Sequence, residues 1–239
     1  MKNLIHYFLN FLDDNLQQKN IKIIKKYLKN TIAVYVDVGA HNGEMIKIIT
    51  NNFSVNKILA FEPNPDCFLK LKSLKKNDRL KIFQIALSDT KGLDYLKIGH
   101  ISSMSTMNKI NNESTYTKIK ELIISIFYFN NKIYKNKIII KKNLLSNILK
   151  KSKIKKIDLL KIDTEGHEFN VLKGAKSFLK NTHLLLFEFH YDDSIIKKYN
   201  FNDVNNFLKK KNFTLISKNK MTLRKGYELI YKNSNFIKK

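Results

Sequence analysis

Short apolar runs that alternate with amphipathic helical stretches limit what this chain can fold into. The run at residues 33–38 is rich in β-branched side chains, and a glycine-containing turn and a helical pattern follow it at residues 39–49. Runs of this kind are typical of strands buried inside a parallel sheet. The same pattern predicts further strands at residues 57–61, 81–87, 157–162 and 183–189, and helices at residues 65–74, 169–178 and 202–210. Because strands that alternate with helices form right-handed βαβ units, we predict an α/β fold with a mostly parallel, doubly wound sheet.

Three stretches lie outside this alternation. Residues 1–30 carry apolar side chains at helical spacing on both sides of a polar break, which predicts an N-terminal helical extension. Residues 213–217 and 227–231 predict a closing hairpin that adds an antiparallel strand. We assign residues 31–239 to a single domain with an insertion around residues 92–142. That insertion either covers the carboxyl edge of the sheet, as substrate-binding segments often do, or contains an ordinary core helix at its apolar run 122–129.

The net charge of +25 suggests an anionic partner, but the type of basic residue argues for caution. Arg79 and Arg224 are the only arginines among 45 basic residues, whereas proteins that bind nucleic acid usually rely on the planar guanidinium of arginine. The abundance of lysine, asparagine and isoleucine favours drift in an AT-rich coding sequence, with a membrane surface, an acidic glycan or RNA as the alternative. A single cysteine, Cys67, excludes an internal disulfide. With no secretory signal at the start, these features predict a cytoplasmic protein.

A glycine turn and an acidic residue follow the first two predicted strands. Asp37 precedes Gly39 and Gly43 in a Gly-x-x-x-Gly pattern, and Glu62 ends the second strand beside both prolines of the chain. Ligands of open α/β sheets bind at this edge, where a carboxylate after the second strand can accept hydrogen bonds from ribose hydroxyls. A dinucleotide would need Gly-x-Gly-x-x-Gly, whereas a ligand with an amino-acid tail would not, and Asp37 could receive its ammonium group. The pattern therefore favours S-adenosylmethionine over NAD.

The third and fourth predicted strands extend the same edge. Ser88 and Asp89 follow the third strand, and Asp163 follows the fourth. Together with the two turns, the predicted cofactor-binding residues are Asp37, Gly39, Ala40, His41, Asn42, Gly43, Glu62, Pro63, Asn64, Ser88, Asp89 and Asp163.

Acidic residues cluster at this edge although lysine dominates the chain. Eleven of the twenty acidic residues lie there: Asp37, Glu44, Glu62, Asp66, Asp89, Asp163, Glu165, Glu168, Glu188, Asp192 and Asp193. We consider four residues as catalytic: His190, Asp163, Glu165 and His167. We favour His190 as the general base, with a histidine that merely hydrogen-bonds the backbone as the alternative. Asp163 and Glu188 could instead hold a divalent cation, but no ligand spacing supports one, so no metal is predicted.

The motifs, taken in order, resemble the FkbM family of methyltransferases. The resemblance rests on residues 36–43, 61–65, 86–89 and 158–175, and the block from Lys161 to Ala175 is its most specific part. It implies a Rossmann-like class I methyltransferase fold that uses S-adenosylmethionine and usually methylates a hydroxyl oxygen, often on a sugar of a glycan or glycolipid. A short serine tract at residues 102–105 resembles that of the family. Relatives often carry Thr-Leu-Asp-Ser where this chain reads Asn143-Leu144-Leu145-Ser146, with no acidic residue. The resemblance therefore does not extend to the identity of the acceptor.

Two other functions stay open at this point. An RNA methyltransferase would account for the net charge and predicts RNA binding that weakens steeply with salt. A non-catalytic Rossmann-like domain could dock on an anionic membrane surface through its basic residues and its N-terminal helix. The intact cofactor turn argues against the second alternative, and the missing glycine pair makes a dehydrogenase a distant third.

Overall fold

A computed structural model describes residues 2–75, 78–130, 132–222 and 224–236, with side chains described from residue 15 onward. The helices are α1 (Lys2–Leu28), α2 (Glu44–Asn52), α3 (Pro65–Ser73), α4 (Thr115–Tyr128), α5 (Leu145–Lys151), α6 (Glu168–Ala175) and α7 (Phe201–Lys209). The strands are β1 (Thr31–Val38), β2 (Ser54–Phe61), β3 (Leu80–Phe83), β4 (Ala86–Leu87), β5 (Gly92–Gly99), β6 (Lys109–Ile110), β7 (Tyr134–Asn143), β8 (Ile157–Ile162), β9 (Thr182–His190), β10 (Ile195–Ile196), β11 (Phe213–Lys220) and β12 (Gly226–Asn233).

The main sheet has seven strands in the order β11-β12-β9-β8-β1-β2-β3. The five strands from β9 to β3 run parallel, whereas β12 pairs antiparallel with β9, and β11 pairs antiparallel with β12. Residues along each strand alternate between two apolar clusters, one packed under α5, α6 and α7 and the other under α1, α2 and α3. Helices therefore cover both faces of the sheet, and the predicted Rossmann-like, doubly wound fold with its antiparallel C-terminal hairpin is confirmed.

The pairing register of the central strands aligns their carboxyl ends. Val38 of β1 pairs with Phe61 of β2 and with Ile162 of β8, and Ile162 pairs in turn with Phe187 of β9. The segments that follow these strands consequently meet at a single carboxyl edge, where ligands of this type of sheet bind.

The prediction of one strand at residues 81–87 was wrong. The main sheet ends with β3 at Phe83, and Ala86 and Leu87 form β4, which joins β7 and β5 in a separate three-stranded sheet. The break occurs because Ala86 pairs with Lys142 of β7 rather than with β2. The predicted helix at residues 169–178 is also shorter, since α6 ends at Ala175 and a 3-10 helix continues to Asn181.

The segment at residues 92–142 folds over the carboxyl edge of the main sheet. Its strands β5 and β7 pair antiparallel, and its short strand β6 pairs with β10, which follows β9. The apolar run 122–129 lies in α4 and just after it, but Leu122 is 61% exposed and Phe129 is 94% exposed. This exposure contradicts the alternative of an ordinary core helix.

The first helix is continuous across the polar break at which the sequence pattern was interrupted. Ile21 and Ile24 pack into the cluster beneath α2 and α3, and Gln17 and Asn20 donate hydrogen bonds to the buried carboxylate of Glu228 on β12. The apolar residues 4, 8, 11 and 12, on which the helical spacing of the first part of this extension rests, lie outside the described side chains. Among the described residues, no helix is both long and apolar enough to cross a membrane.

Candidate active site at the carboxyl edge of the sheet

The turn after β1 brings backbone close to the ends of two other strands. The N–H groups of Gly39 and Ala40 both donate to the carbonyl oxygen of Phe61, at 3.0 Å each. Gly39 has a φ of +75°, and a Cβ atom there would overlap the carbonyl oxygen of Asp163. Gly43 has a φ of +83°, and a Cβ atom there would overlap the side chain of Leu74. Only glycine allows this turn to pack so closely while leaving its backbone open to a ligand.

Glu62 is held rigidly above this turn. One carboxylate oxygen accepts a hydrogen bond from the N–H of His41 at 2.8 Å, and the other accepts from the N–H of Asn64 at 2.8 Å. Burial raises the pKa of Glu62, while these two N–H groups act in the opposite direction. Pro63 fixes the short link between Glu62 and Asn64, whose side chain caps α3. Since each carboxylate oxygen has a second lone pair, the arrangement fits a pair of ribose hydroxyls.

A buried lysine, to which the sequence analysis gave no role, connects the turn to β8. The Nζ atom of Lys161 lies 3.4 Å from Asp37 and 3.2 Å from Asp163, and it donates to the carbonyl oxygen of Gly39 at 2.8 Å. Burial opposes the positive charge, but Asp163 and Asp37 raise the pKa of Lys161. Asp37 itself is fully buried. Its predicted contact with an ammonium group stays a prediction, and its observed role is to fix Lys161. A lysine between the apolar residues Leu160 and Ile162 of a buried strand was the signal.

The loop after β8 is shaped by Glu168, which the sequence analysis counted only as one of the edge acids. Its carboxylate accepts hydrogen bonds from the N–H groups of Thr164 and Gly166, at 3.0 and 2.7 Å, and from the hydroxyl of Tyr199 at 2.8 Å. These bonds hold Glu165 at a φ of +49°, a conformation that is uncommon for residues other than glycine. The loop thereby presents Glu165 at the edge of the sheet.

Glu165, Glu188 and His190 converge at that edge. The Nε2 atom of His190 lies 2.9 Å from Glu188 and 3.6 Å from Glu165, and its Nδ1 atom lies 3.7 Å from Asp192. Arg224, which precedes β12 and was not predicted as a site residue, lies 3.8 Å from Glu188 and 3.9 Å from Glu165. The site therefore combines four carboxylates, counting Asp163, with basic groups in a largely buried cluster.

The charges in this cluster do not suit His190 as a general base. Burial alone would lower the pKa of His190, but the charges of Glu165 and Glu188 raise it to about 10. The imidazole is thus protonated near neutral pH, where it cannot accept another proton. Asp163 is no better, because Lys161 overcomes the effect of burial and lowers the pKa of that carboxyl to about 2. Burial raises the pKa of Glu165, which leaves it as the candidate best able to accept a proton.

His167 lies outside this cluster, in a hydrogen-bonded group with Ser88 and Asp89. Its Nε2 atom lies 2.9 Å from the hydroxyl of Ser88, which donates to Asp89 at 3.0 Å. Burial lowers the pKa of His167, so its ring is neutral near pH 7. The structure thus joins the predicted catalytic residue His167 to the predicted cofactor residues Ser88 and Asp89, although these follow β4 of the second sheet.

The insertion contacts both halves of the site. The hydroxyl of Ser102, in the serine tract, lies 2.7 Å from Nε2 of His41, while Nδ1 of His41 lies 3.0 Å from Glu44. Four residues later, the fully buried hydroxyl of Thr106 donates to the carbonyl oxygen of Glu165 at 2.7 Å. Asn42 completes the turn, and its N–H and its side-chain amide both donate to Glu44 at 3.1 Å.

Comparison with known protein families agrees with this geometry. The model of the methyltransferase FkbM domain matches residues 37–215, which is about three quarters of the chain. The chain belongs to the FkbM methyltransferase family. The match begins at Asp37 and includes the glycine turn, Glu62 and the acidic cluster. The predicted resemblance to this family and the predicted S-adenosylmethionine cofactor are confirmed.

Solved structures are similar at the level of the fold. A methyltransferase FkbM from Methylobacillus flagellatus KT superimposes with a TM-score of 0.55 at 14% identity, over 87% of this chain and 45% of that protein. The chain therefore spans less than half the length of that relative. Magnesium protoporphyrin IX methyltransferase from Synechocystis PCC 6803 gives a TM-score of 0.47 at 8% identity, over 94% of this chain and 85% of that one. TrmK from M. capricolum gives 0.48 at 9% identity, over 90% and 68%. No curated protein matches the sequence significantly.

Proposed function

We propose that the protein transfers a methyl group from S-adenosylmethionine to a hydroxyl oxygen of a sugar, in a glycan or a glycolipid. One observation carries this proposal. The glycine turn packs directly against the backbone of Asp163, and the loop that begins there presents Glu165 to the cluster with Glu188 and His190. A site that suits the donor therefore adjoins a buried, carboxylate-lined site that suits a neutral acceptor rich in hydroxyl groups.

The residues of the turn would bind the methyl donor. S-adenosylmethionine supplies an electrophilic methyl group on a sulfonium ion. Glu62 would accept hydrogen bonds from the ribose hydroxyls, and Gly39 and Gly43 leave the turn free of side chains at the position of closest approach. Ser88, Asp89 and His167 would line the remainder of the donor site.

The residues of the cluster would bind and activate the acceptor. A sugar hydroxyl is a weak nucleophile and reacts faster when a nearby base accepts its proton. Glu165 would accept that proton, because burial raises its pKa. The protonated ring of His190, between Glu188 and Asp192, would hold the acceptor oxygens in place by donating hydrogen bonds. Enclosure of the cluster by the insertion would limit the access of water.

The same cluster argues against RNA as the acceptor. The net charge of +25 favours RNA, but Asp163, Glu165, Glu188 and Asp192 converge where the acceptor must lie. A phosphate backbone that approached these carboxylates would be repelled. We therefore propose a neutral polyol rather than a polyanion for the acceptor site itself.

The donor half is tested by replacing Glu62. We expect Glu62→Ala to weaken S-adenosylmethionine binding about 100-fold or more in calorimetry, because it removes the two charge-assisted hydrogen bonds that the ribose hydroxyls would donate, at about 1.5–3 kcal/mol each. Asp66→Ala is the matched control, since Asp66 is an exposed carboxylate four residues further on. Equal affinities for both variants, with unchanged circular dichroism, would contradict the assignment of Glu62.

The acceptor half is tested by following label from methyl-labelled S-adenosylmethionine into glycan, lipid and RNA fractions. We expect label in a glycan or glycolipid fraction, at a methyl ether that is stable to mild alkali. Label confined to RNA would refute the proposed acceptor and leave the donor assignment intact. RNA binding at high affinity that weakens steeply with salt would point the same way.

A further inference from the structure

We propose that Glu165, Glu188 and His190 form a binding site for one divalent cation at the carboxyl edge of the sheet. Each residue offers one ligand atom, and the three atoms lie within 4.8 Å of one another. The residues come from the loop after β8 and from the end of β9, so their spacing in the sequence does not follow a ligand motif. That is why the sequence analysis predicted no metal.

A second observation separates this cluster from an ordinary group of acids. Oε1 of Glu188 and Nε2 of His190 are buried and 2.9 Å apart, yet within the described part of the chain neither has a hydrogen-bond partner of acceptable geometry. Two ligands that share an ion at about 2.1 Å, at about a right angle, lie about 3 Å apart. The observed separation has that value.

The charge around the three ligands favours a cation. The carboxylates of Asp163 and Asp192 add to those of Glu165 and Glu188. The basic groups beside these carboxylates are Arg224, 3.8 Å from Glu188 and 3.9 Å from Glu165, and Lys161, 3.2 Å from Asp163, so the acidic groups are in excess. The side chain of Glu165 is 14% exposed and that of Asp163 is 31% exposed, so the pocket has a path for entry.

The ligand set suits Mn²⁺ or Mg²⁺ better than softer ions. Two carboxylates and one imidazole give an oxygen-rich set, with no thiolate among the three. Because a metal ligand must be a neutral imidazole, binding of the cation would displace the proton of His190. Three protein ligands would then leave positions for water or for two neighbouring hydroxyls of an acceptor. The cation would lower the pKa of such hydroxyls, in place of the roles that Glu165 and the protonated His190 have without the ion. This use of the ion rests on the proposed function, whereas the binding itself does not.

The site is tested by titrating the full chain with Mn²⁺ and following free Mn²⁺ by electron paramagnetic resonance. We expect one tight equivalent per chain, and we expect Glu165→Gln and Glu188→Gln each to weaken binding at least about tenfold. Glu228→Gln is the matched control, because Glu228 is a buried carboxylate opposite Glu188 on β12 that already accepts hydrogen bonds from two amides. Its Mn²⁺ affinity should be unchanged.

Absence of a tight equivalent, or equal binding by all four proteins, would overturn the cation site. S-adenosylmethionine affinity measured in the presence of a chelator separates this outcome from failure of the proposed function. If the donor binds and Mn²⁺ does not, only the cation site is wrong. If Mn²⁺ binds at these residues and the donor does not, the cation site stands and the methyltransferase proposal loses its support.

A separate observation concerns α4, and from it we infer that this helix docks on an anionic membrane surface. Its buried residues Thr117 and Ile124 face the protein. The large apolar side chains at helical spacing on the outward face are instead exposed: Ile119, Leu122, Ile123, Ile126 and Phe129. A continuous apolar stripe on the solvent side of a helix indicates an interaction surface.

The positive charge around the stripe favours an anionic membrane over a second copy of the chain as its partner. Lys118 borders the stripe and is 60% exposed, although it lies 3.6 Å from the carboxylate of Glu113. Exposed lysines at positions 132, 135 and 137 follow the helix. A second copy of the chain would bring another net charge of +25 against the first, whereas an anionic bilayer attracts each nearby lysine by about 1 kcal/mol. An apolar stripe beside lysines is also the pattern of helices that lie in the membrane interface.

Vesicle co-sedimentation tests this surface with a closely matched pair of variants. The full chain should bind vesicles of phosphatidylcholine with phosphatidylglycerol and should bind pure phosphatidylcholine much less. Leu122→Ser should weaken binding about tenfold, and Leu69→Ser should not, although both leucines lie on helices and are 61% and 63% exposed. Equal binding by the two variants would overturn the proposal. So would a dimer in light scattering that Leu122→Ser converts to a monomer.

Discussion

Replacing Gly39 by alanine tests how tightly the cofactor turn is built into the sheet. The residue has a φ of +75°, which costs an alanine about 1–2 kcal/mol. The new Cβ would also overlap the carbonyl oxygen of Asp163, so that one backbone segment must move by more than an ångström. Such a shift disturbs the bonds of Gly39 and Ala40 to Phe61, at about 1 kcal/mol each. We therefore expect a total loss of about 3–4 kcal/mol.

A loss of that size lowers the melting temperature by about 10 °C for a chain of this length. We expect thermal unfolding by circular dichroism to show it, and calorimetry to show S-adenosylmethionine binding weakened at least about tenfold, because the backbone beside Glu62 has moved. Gly92→Ala is the control, since Gly92 also has a positive φ, of +144°, but a Cβ there would meet nothing within 4 Å. Equal melting temperatures and equal donor affinities for the two variants would refute this reasoning.

Two further predictions concern the supports of the site. Thr106→Val should destabilise the protein by about 1–2 kcal/mol in urea unfolding, because it leaves the carbonyl oxygen of Glu165 without its buried donor; unchanged stability would contradict this. Burial raises the pKa of Glu228 from 4.5 to about 7, so the native state holds a proton that the unfolded state has lost. Stability should thus fall as the pH rises from about 4.5 to 7, by on the order of 3 kcal/mol from this group. Glu228→Gln should remove that part of the slope in unfolding measured across this range, and an unchanged slope would exclude Glu228 as its source.

The order of strands and helices was predictable because it depends on local patterns. The apolar runs at β1, β8 and β9 are buried on both faces, and such strands stand out in a sequence. The end of the main sheet at β3 was not predictable in this way. Whether residues 86 and 87 continue β3 depends on β7, a strand about fifty residues further along the chain. No local pattern contains that information.

The same distinction applies to the site. Glu62 and Gly39 were predictable because their positions follow from a strand, a turn and a helix that are adjacent in sequence. Glu165 and Glu168 are equally acidic neighbours in one loop, and only hydrogen bonding shows that Glu168 shapes the loop while Glu165 faces the pocket. Arg224 reaches the cluster from the segment before β12. The protonation of His190 also follows from three-dimensional neighbours that sequence spacing does not reveal.

The two hydrogen bonds of the insertion, one between Ser102 and His41 and one from Thr106 to Glu165, make it a mechanical link between donor and acceptor. A ligand that orders this segment at one end also orders it at the other, and such coupling is reciprocal. The protein should accordingly bind each of its two substrates more tightly when the other is already bound. In product inhibition, S-adenosylhomocysteine should then compete with the donor and should not compete with the acceptor.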